Sequence, residues 1–317
     1  MILFKDIFLS MKKNFVVLLS LLSLSVFAQN SKGRVSAFAP EVISQFPATR
    51  DFTMASNGNE AYITVLDHSG SISVLVELNK DNDRWNAIGI VPFSGPYKDL
   101  EPFLSPDGFR LYFASNRPLE GAEAKTDFDI WYVTRTDLDS PWSSPVNPGA
   151  PVNTDKNEFY PAVASNGNLY FTSDSLAETS KDDLFYAIWS GDTYSQPVRL
   201  PESVNTEGYE FNSYIAADES FLLFSGYNRK DGVGGGDLYI SYNKEGNWTP
   251  ATNLGMTVNS PRLDYCPFYD EKDSRLYFTS NRNSVEMQDS IESLISELNK
   301  HENGQSRIYL IDLDLKK

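Results

Sequence analysis

The sequence predicts an all-β fold: a five-bladed β-propeller of four-stranded antiparallel blades, closed by an N-terminal strand that completes the last blade. Three observations predict it. Related segments begin at Thr49, Asp99, Glu158, Glu210 and Asp264, at intervals of 50 to 59 residues. Each copy breaks into short apolar-aromatic runs separated by turn residues. The final copy lacks its fourth run, and an unassigned segment near the N-terminus resembles that missing piece.

The first residues are set aside before the fold is read. Lys12 and Lys13 precede the apolar run FVVLLSLLSLSVFA, which ends with Val26 at −3 and Ala28 at −1. A basic start, a short apolar core and small residues at the exit are the pattern of a secretory signal peptide over 1–28, cleaved before Gln29. Met11 is the better initiator, because it places the lysines in the n-region. The apolar run is too short for a comfortable membrane span. No cysteine adjoins the cleavage point, so no lipid anchor is expected there. The remaining 29–317 is expected to be one propeller domain, periplasmic or extracellular.

Within each copy the first strand carries an acid and, three residues on, Pro or Ser, as in DLEPF, EFYPA, EFNSY and DYCPF. A turn such as Ser105-Pro106-Asp107-Gly108 or Ser165-Asn166-Gly167 then reverses the chain, since Asn-Gly and Asp-Gly supply the positive φ of a tight hairpin. The second strand is Leu111-Tyr112-Phe113 and its equivalents, and the third begins at Asp129, Asp183, Asp237 or near Ile308. The fourth opens on Trp85, Trp142, Tyr194 or Trp248 and runs towards Val152-Asn153-Thr154, Val204-Asn205-Thr206 or Val258-Asn259-Ser260. A lone four-stranded sheet cannot bury both faces, so neighbours must stack around an axis. Pro40-Glu41-Val42-Ile43-Ser44 resembles Pro201-Glu202-Ser203-Val204-Asn205, and Ser44 precedes Thr49 by the offset that separates each link Asn from the next copy. Residues near 33–44 are therefore expected to finish the last blade.

The formal charge is −16 for the whole chain, with a pI near 4.5. Removing the leader, with three lysines and one aspartate, takes it to −18. Such a surface repels nucleic acid and anionic lipid, so neither is an expected partner. Cys266 is the single cysteine, which excludes an intrachain disulfide. His68 and His301, the two histidines, have no zinc-type spacing, and neither a G-x-S-x-G element nor a phosphate loop occurs.

The segments SPDGFRLYFASNRP, DFDIWYV and WSSPVNPGAPVNTDKNEFYP resemble the WD40-like PD40 repeat of TolB-type propellers. The resemblance extends over residues 40–312 and implies a propeller with a periplasmic or secreted binding or scaffolding role. No TolB-type N-terminal domain accompanies it here.

Links from the fourth strand to the next first strand share a face with the loops between strands two and three. That face therefore collects the insertions starting at Pro118, Gly226 and Asn283. The last, over about 285–302, has Ile291, Leu294, Ile295 and Leu298 at helical spacing, a short amphipathic helix that either caps a blade or docks a partner. Asp99, Glu158, Glu210 and Asp264 recur once per blade; they either staple neighbouring links or form a binding ring, for which a hard cation such as Ca²⁺ is the candidate ion. No other cofactor is expected. Asn116-Arg117 and Asn281-Arg282, with Arg229 as a looser copy, either pair with those acids or face a ligand carboxylate. Asp51 and Glu101 occupy a first-strand position held elsewhere by Tyr160, Asn212 and Cys266. They are the catalytic candidates if the propeller is an enzyme. The leading expectation is a monomeric binding or scaffold module for a protein or glycan. The alternatives are a glycan-active enzyme with axial carboxylates and a Ca²⁺-stabilised adhesion module.

Overall fold

The structure, a computed structural model, describes residues 33–119, 125–174 and 181–315. The predicted leader and its cleavage point lie outside the described residues, as does part of the Pro118 insertion. Five sheets surround one axis. Blade 1 holds Ala48–Met54, Glu60–Leu66, Ser73–Asp81 and Arg84–Ile90 from axis to rim. Blade 2 holds Asp99–Leu104, Arg110–Ser115 and Asp129–Thr134, and blade 3 holds Glu158–Val163, Leu169–Ser173, Asp183–Ala187 and Val198–Arg199. Blade 4 holds Tyr209–Ile215, Phe221–Tyr227 and Asp237–Lys244, with Asn247–Trp248 and Thr252–Asn253 outside. Blade 5 holds Asp264–Asp270, Arg275–Ser280 and Arg307–Asp312.

The chain's start seals the ring, as the sequence predicts. Ser36–Ala37 pairs antiparallel with Arg307–Asp312, Ser36 opposite Leu310 and Ala37 opposite Tyr309. Phe38 follows, 2% exposed, with its ring against Phe52, Trp85 and Tyr277. Pro40–Ile43 is a single helical turn rather than a strand end. The same turn recurs where the other links close, Val204 N–H donating to the Pro201 carbonyl and Asn259 N–H to that of Gly255. Elsewhere the link Asn grips the third strand: Asn153, Asn205 and Asn259 each accept from and donate to one backbone residue, at Ile130, Leu184 and Leu238. At the seam Ser44 replaces that Asn. His301 fills the gap, its Nε2 3.0 Å from the Ile308 carbonyl oxygen and its Nδ1 3.5 Å from Ser44 Oγ.

Outside blade 1, fourth strands are shorter than their sequence pattern suggests. In blade 2 the fourth position shrinks to one bridge, Tyr132 to Val146. Pro141, Pro145, Pro148 and Pro151 crowd that stretch, and each removes a backbone donor that a ladder needs. The predicted helix forms at Ile291–Leu298, capped by Ser290, whose side chain accepts from Ser293 N–H. It does not cap a blade. Ile291, Ile295 and Leu298 remain 73%, 53% and 53% exposed, and the helix is tied to its own insertion through Glu297 to Lys300 and to the Glu286 N–H.

Candidate functional site

The first strand of every blade contains a β-bulge at one repeat position. Ladder pairing skips there in all five blades, for instance between Arg50 and Phe52 and between Leu100 and Phe103. Pro102, Pro161 and Pro267 help to cause it, since a proline has no N–H for the ladder. The bulged residues are Asp51, Glu101, Tyr160, Asn212 and Cys266, at φ of 54°, 62°, 52°, 54° and 52°. A non-glycine residue at such φ carries strain of about 1 kcal/mol or more, and strain of this kind concentrates at functional sites. All five line one cavity of about 30 Å³ at the axis. Around them the repeat is largely regular; at this position, and one residue earlier in blade 1, it is not.

The two candidate catalytic acids thus come together. Asp51 and Glu101, each 4% exposed, are bridged by the guanidinium of Arg50. Its Nε lies 3.0 Å from Asp51 Oδ1 and its Nη2 3.3 Å from Glu101 Oε1. Nη2 also donates to the Tyr160 hydroxyl and reaches Cys266 Sγ at 3.5 Å. The guanidinium lies over the rings of Tyr160 and Tyr265, 5.3 and 5.2 Å from their centroids. The acids also brace the wall. Asp51 Oδ2 accepts from the Glu101 N–H at 3.2 Å, and Glu101 Oε2 from the Tyr160 N–H at 2.9 Å.

Burial dominates the electrostatics here. It pushes the Glu101 carboxyl well above the ordinary range; Arg50 opposes this and the Asp51 charge adds to it. Burial alone would weaken the Arg50 charge, but Asp51, Tyr160 and Cys266 hold it well above its usual value. The Cys266 thiol is raised by burial and then by Asp51, so it stands as a neutral wall residue.

Arg50 is the residue that sequence reasoning missed. Its repeat position carries Leu100, Phe159, Phe211 and Tyr265 elsewhere, so a charge among apolar residues was the signal that could have found it. Asn212 is the second. It is 2% exposed, and neither its amide nitrogen nor its amide oxygen has a partner.

Asp99, Glu158, Glu210 and Asp264 lie fully buried in the wall, away from any ligand surface. Each accepts from the link before it: Ser94 to Asp99, Thr154 to Glu158, Thr206 to Glu210 and Ser260 to Asp264. Arg117, Arg229 and Arg282 complete three of them at 2.6, 2.7 and 3.2 Å, while also capping the link carbonyls of Phe93, Val204 and Val258. Asn116 and Asn281 bind backbone or wall groups, Asn116 Oδ1 accepting from Lys98 N–H and Asn281 Nδ2 donating to the Gly304 carbonyl. Among the described residues no group of three or more His, Cys, Asp or Glu could hold a metal. No described helix is long and apolar enough to cross a membrane.

Glu158 lacks an arginine, because Asp174 and Ser175 follow its second strand where the other copies have Asn-Arg. Burial raises its carboxyl to about 7, against the pull of its Thr154 bonds. A carboxyl raised in the folded state stabilises below its unfolded pKa near 4.5, and that contribution disappears as pH rises through about 7. Melting is therefore expected to drop by roughly 5 °C from this group between pH 4.5 and 8. Glu158→Gln should flatten that part of the profile; an unchanged slope would refute the assignment.

No family model matches the chain, and no curated protein does. Solved structures do. A complex of BT0996 with RGII aligns at TM-score 0.56 and 10% identity, over 85% of this chain and 90% of its own. The endo-arabinase of Bacteroides thetaiotaomicron VPI-5482 aligns at 0.54 and 16%, over 89% and 99%. The GH43 endo-arabinanase of Bacillus licheniformis aligns at 0.50 and 14%, over 84% and 94%. At these identities the likeness shows the fold, a five-bladed propeller. Two expectations are corrected by these findings. The PD40 and TolB resemblance fails, since no family model matches and the matching propellers are of the arabinanase kind. The binding or scaffold role expected with it is not supported by these matches either, two of which are named an endo-arabinase and an endo-arabinanase.

Proposed function

We propose that the propeller is a glycan-active hydrolase, working outside the cytoplasm, with Glu101 and Asp51 as its axial carboxylates. One observation carries this reading: two buried acids on neighbouring bulges share Arg50, and burial drives one of them towards its protonated form. Glycoside hydrolysis needs that inequality, one carboxyl to give a proton and one to take it. Glu101 protonates the glycosidic oxygen as the bond from that oxygen to the anomeric carbon breaks. Asp51, paired with the Arg50 Nε at 3.0 Å, accepts a proton from water as the water oxygen bonds to the anomeric carbon. The sum is one water added across one glycosidic bond, and both carboxyls reset by proton exchange with solvent.

The axial cavity of about 30 Å³ fits one water rather than a sugar ring. Asn212 faces it with an unused donor and acceptor, which suits it to hold that water. Arg50 lies against the pair with its side chain 18% exposed, so a sugar must displace it to reach the acids. The arabinan-directed names of two structural neighbours support a polysaccharide substrate. Incubation with arabinan, xylan and pectic polysaccharides should release reducing ends from at least one; release from none overturns the proposal. Asn212→Ala should lower kcat about 10²-fold and leave melting unchanged or higher, since it breaks no side-chain hydrogen bond inside the protein.

A further inference from the structure

At the opposite ends of the strands, away from Arg50, the structure contains a groove of about 640 Å³ between blades 2 and 3. Hairpin turns and third-strand ends line it, so none of its walls belongs to the axial ring. Pockets of this volume suit small ligands of a few rings. At its centre is Arg110. The guanidinium lies across the rings of Tyr132 and Trp189, 5.3 and 5.2 Å from their centroids, and Nη1 donates to the Tyr112 hydroxyl at 3.3 Å.

Two features of Arg110 bear on a ligand. Among the described residues it forms no ion pair, whereas Arg117, Arg229 and Arg282 each hold one. The stacking also fixes its plane, so a planar fork is presented with little left to order. The groove is built to keep it so. Trp189 packs on Gly167, where a Cβ would come within 2.6 Å of the indole, and the Trp189 backbone N–H donates to Asn168 Oδ1 at 3.1 Å. The ring of Phe109, 40% exposed, forms the rim. The wall's one acid, Asp107, has its Oδ1 occupied by Ser105 Oγ and by the Phe109 N–H.

We propose that this groove is a second saccharide site, selective for sugars bearing a carboxylate. Arg110 takes the uronate group through paired N–H···O bonds, and Phe109 covers the apolar face of the ring. A fixed guanidinium without an acid calls for an anion, and an exposed aromatic rim beside it calls for a flat, partly apolar partner; a uronate sugar is both. The site stands independently of the axial chemistry.

The test is calorimetric titration of Glu101→Gln protein, which leaves the saccharide intact, with trigalacturonate, its methyl ester and a triaspartate peptide. Trigalacturonate should bind at least tenfold more tightly than the ester, and Arg110→Met should abolish the difference. Phe109→Ser, at an exposed turn, should weaken both sugars together and serves if Arg110→Met fails to fold. Equal binding of acid and ester, no binding of either, or tighter binding of the peptide each overturns the proposal. Hydrolytic activity of Arg110→Met protein on a neutral glycan should match that of the native protein. Loss of uronate binding with activity retained separates this site from the axial one.

Discussion

Glu101→Gln is expected to abolish glycan hydrolysis, by about 10³-fold or more in kcat, while the protein melts normally at neutral pH. The activity loss follows from the missing proton: an amide cannot protonate the leaving oxygen, and acid catalysis by a positioned group is worth about 10²–10⁴-fold. The preserved fold follows from burial. Because burial drives Glu101 towards its neutral form, glutamine has the charge and shape of that form, and its carbonyl can still accept the Tyr160 N–H held at 2.9 Å. Hydrolysis by the native protein should decline as pH rises through the raised Glu101 pKa, since the acid then loses its proton. Reducing-end release and thermal melting of the two proteins, measured across pH, check all three statements. Full activity in Glu101→Gln would remove Glu101 from the mechanism.

The largest stability effect is expected at Arg117→Leu, a loss of about 3–5 kcal/mol. Arg117 is 7% exposed and lies 2.6 Å from Asp99, which has no exposure at all. It also donates to Ser115 Oγ and the Phe93 carbonyl, and stacks over Phe113 at 4.9 Å. Leucine fills part of the volume but strands the Asp99 charge, with only Ser94 Oγ still donating to it. Adding Asp99→Asn should recover part of the loss, because the burden is an unpaired charge rather than an empty space. Denaturant unfolding of the single and double variants reads this directly, and a single variant with the native midpoint would contradict it.

Most of the propeller was legible in the sequence. Turn chemistry at Asp107-Gly108 and Asn166-Gly167, strand-length aromatic runs and a constant link offset all arise from local backbone physics repeated five times. Even the seam was visible, because Pro40–Ser44 adopts the same helical turn as Pro201–Asn205. Fourth strands were less so, since their Pro-rich stretches satisfy few ladder bonds. The helix at Ile291–Leu298 was readable as a helix, but its apolar spacing alone did not say that the face stays exposed. The site divided differently. Asp51 and Glu101 stood out because they broke the repeat, yet Arg50 broke it one residue earlier and passed unnoticed. The recurring acids drew attention and lie buried in the wall, three of them paired with Arg117, Arg229 and Arg282. A repeat advertises what every copy needs for folding; chemistry sits where one copy differs.

The five bulges also bear on how such a hub could change its chemistry. Since Asp51, Glu101, Tyr160, Asn212 and Cys266 share nearly one φ, each socket asks the same left-handed turn of its residue. A side chain accepted in one blade meets the same local geometry in the next, and only its neighbours across the axis alter. Function can then be rewritten by exchanging hub residues singly, with the rim untouched, much as a combination lock is reset without replacing its case.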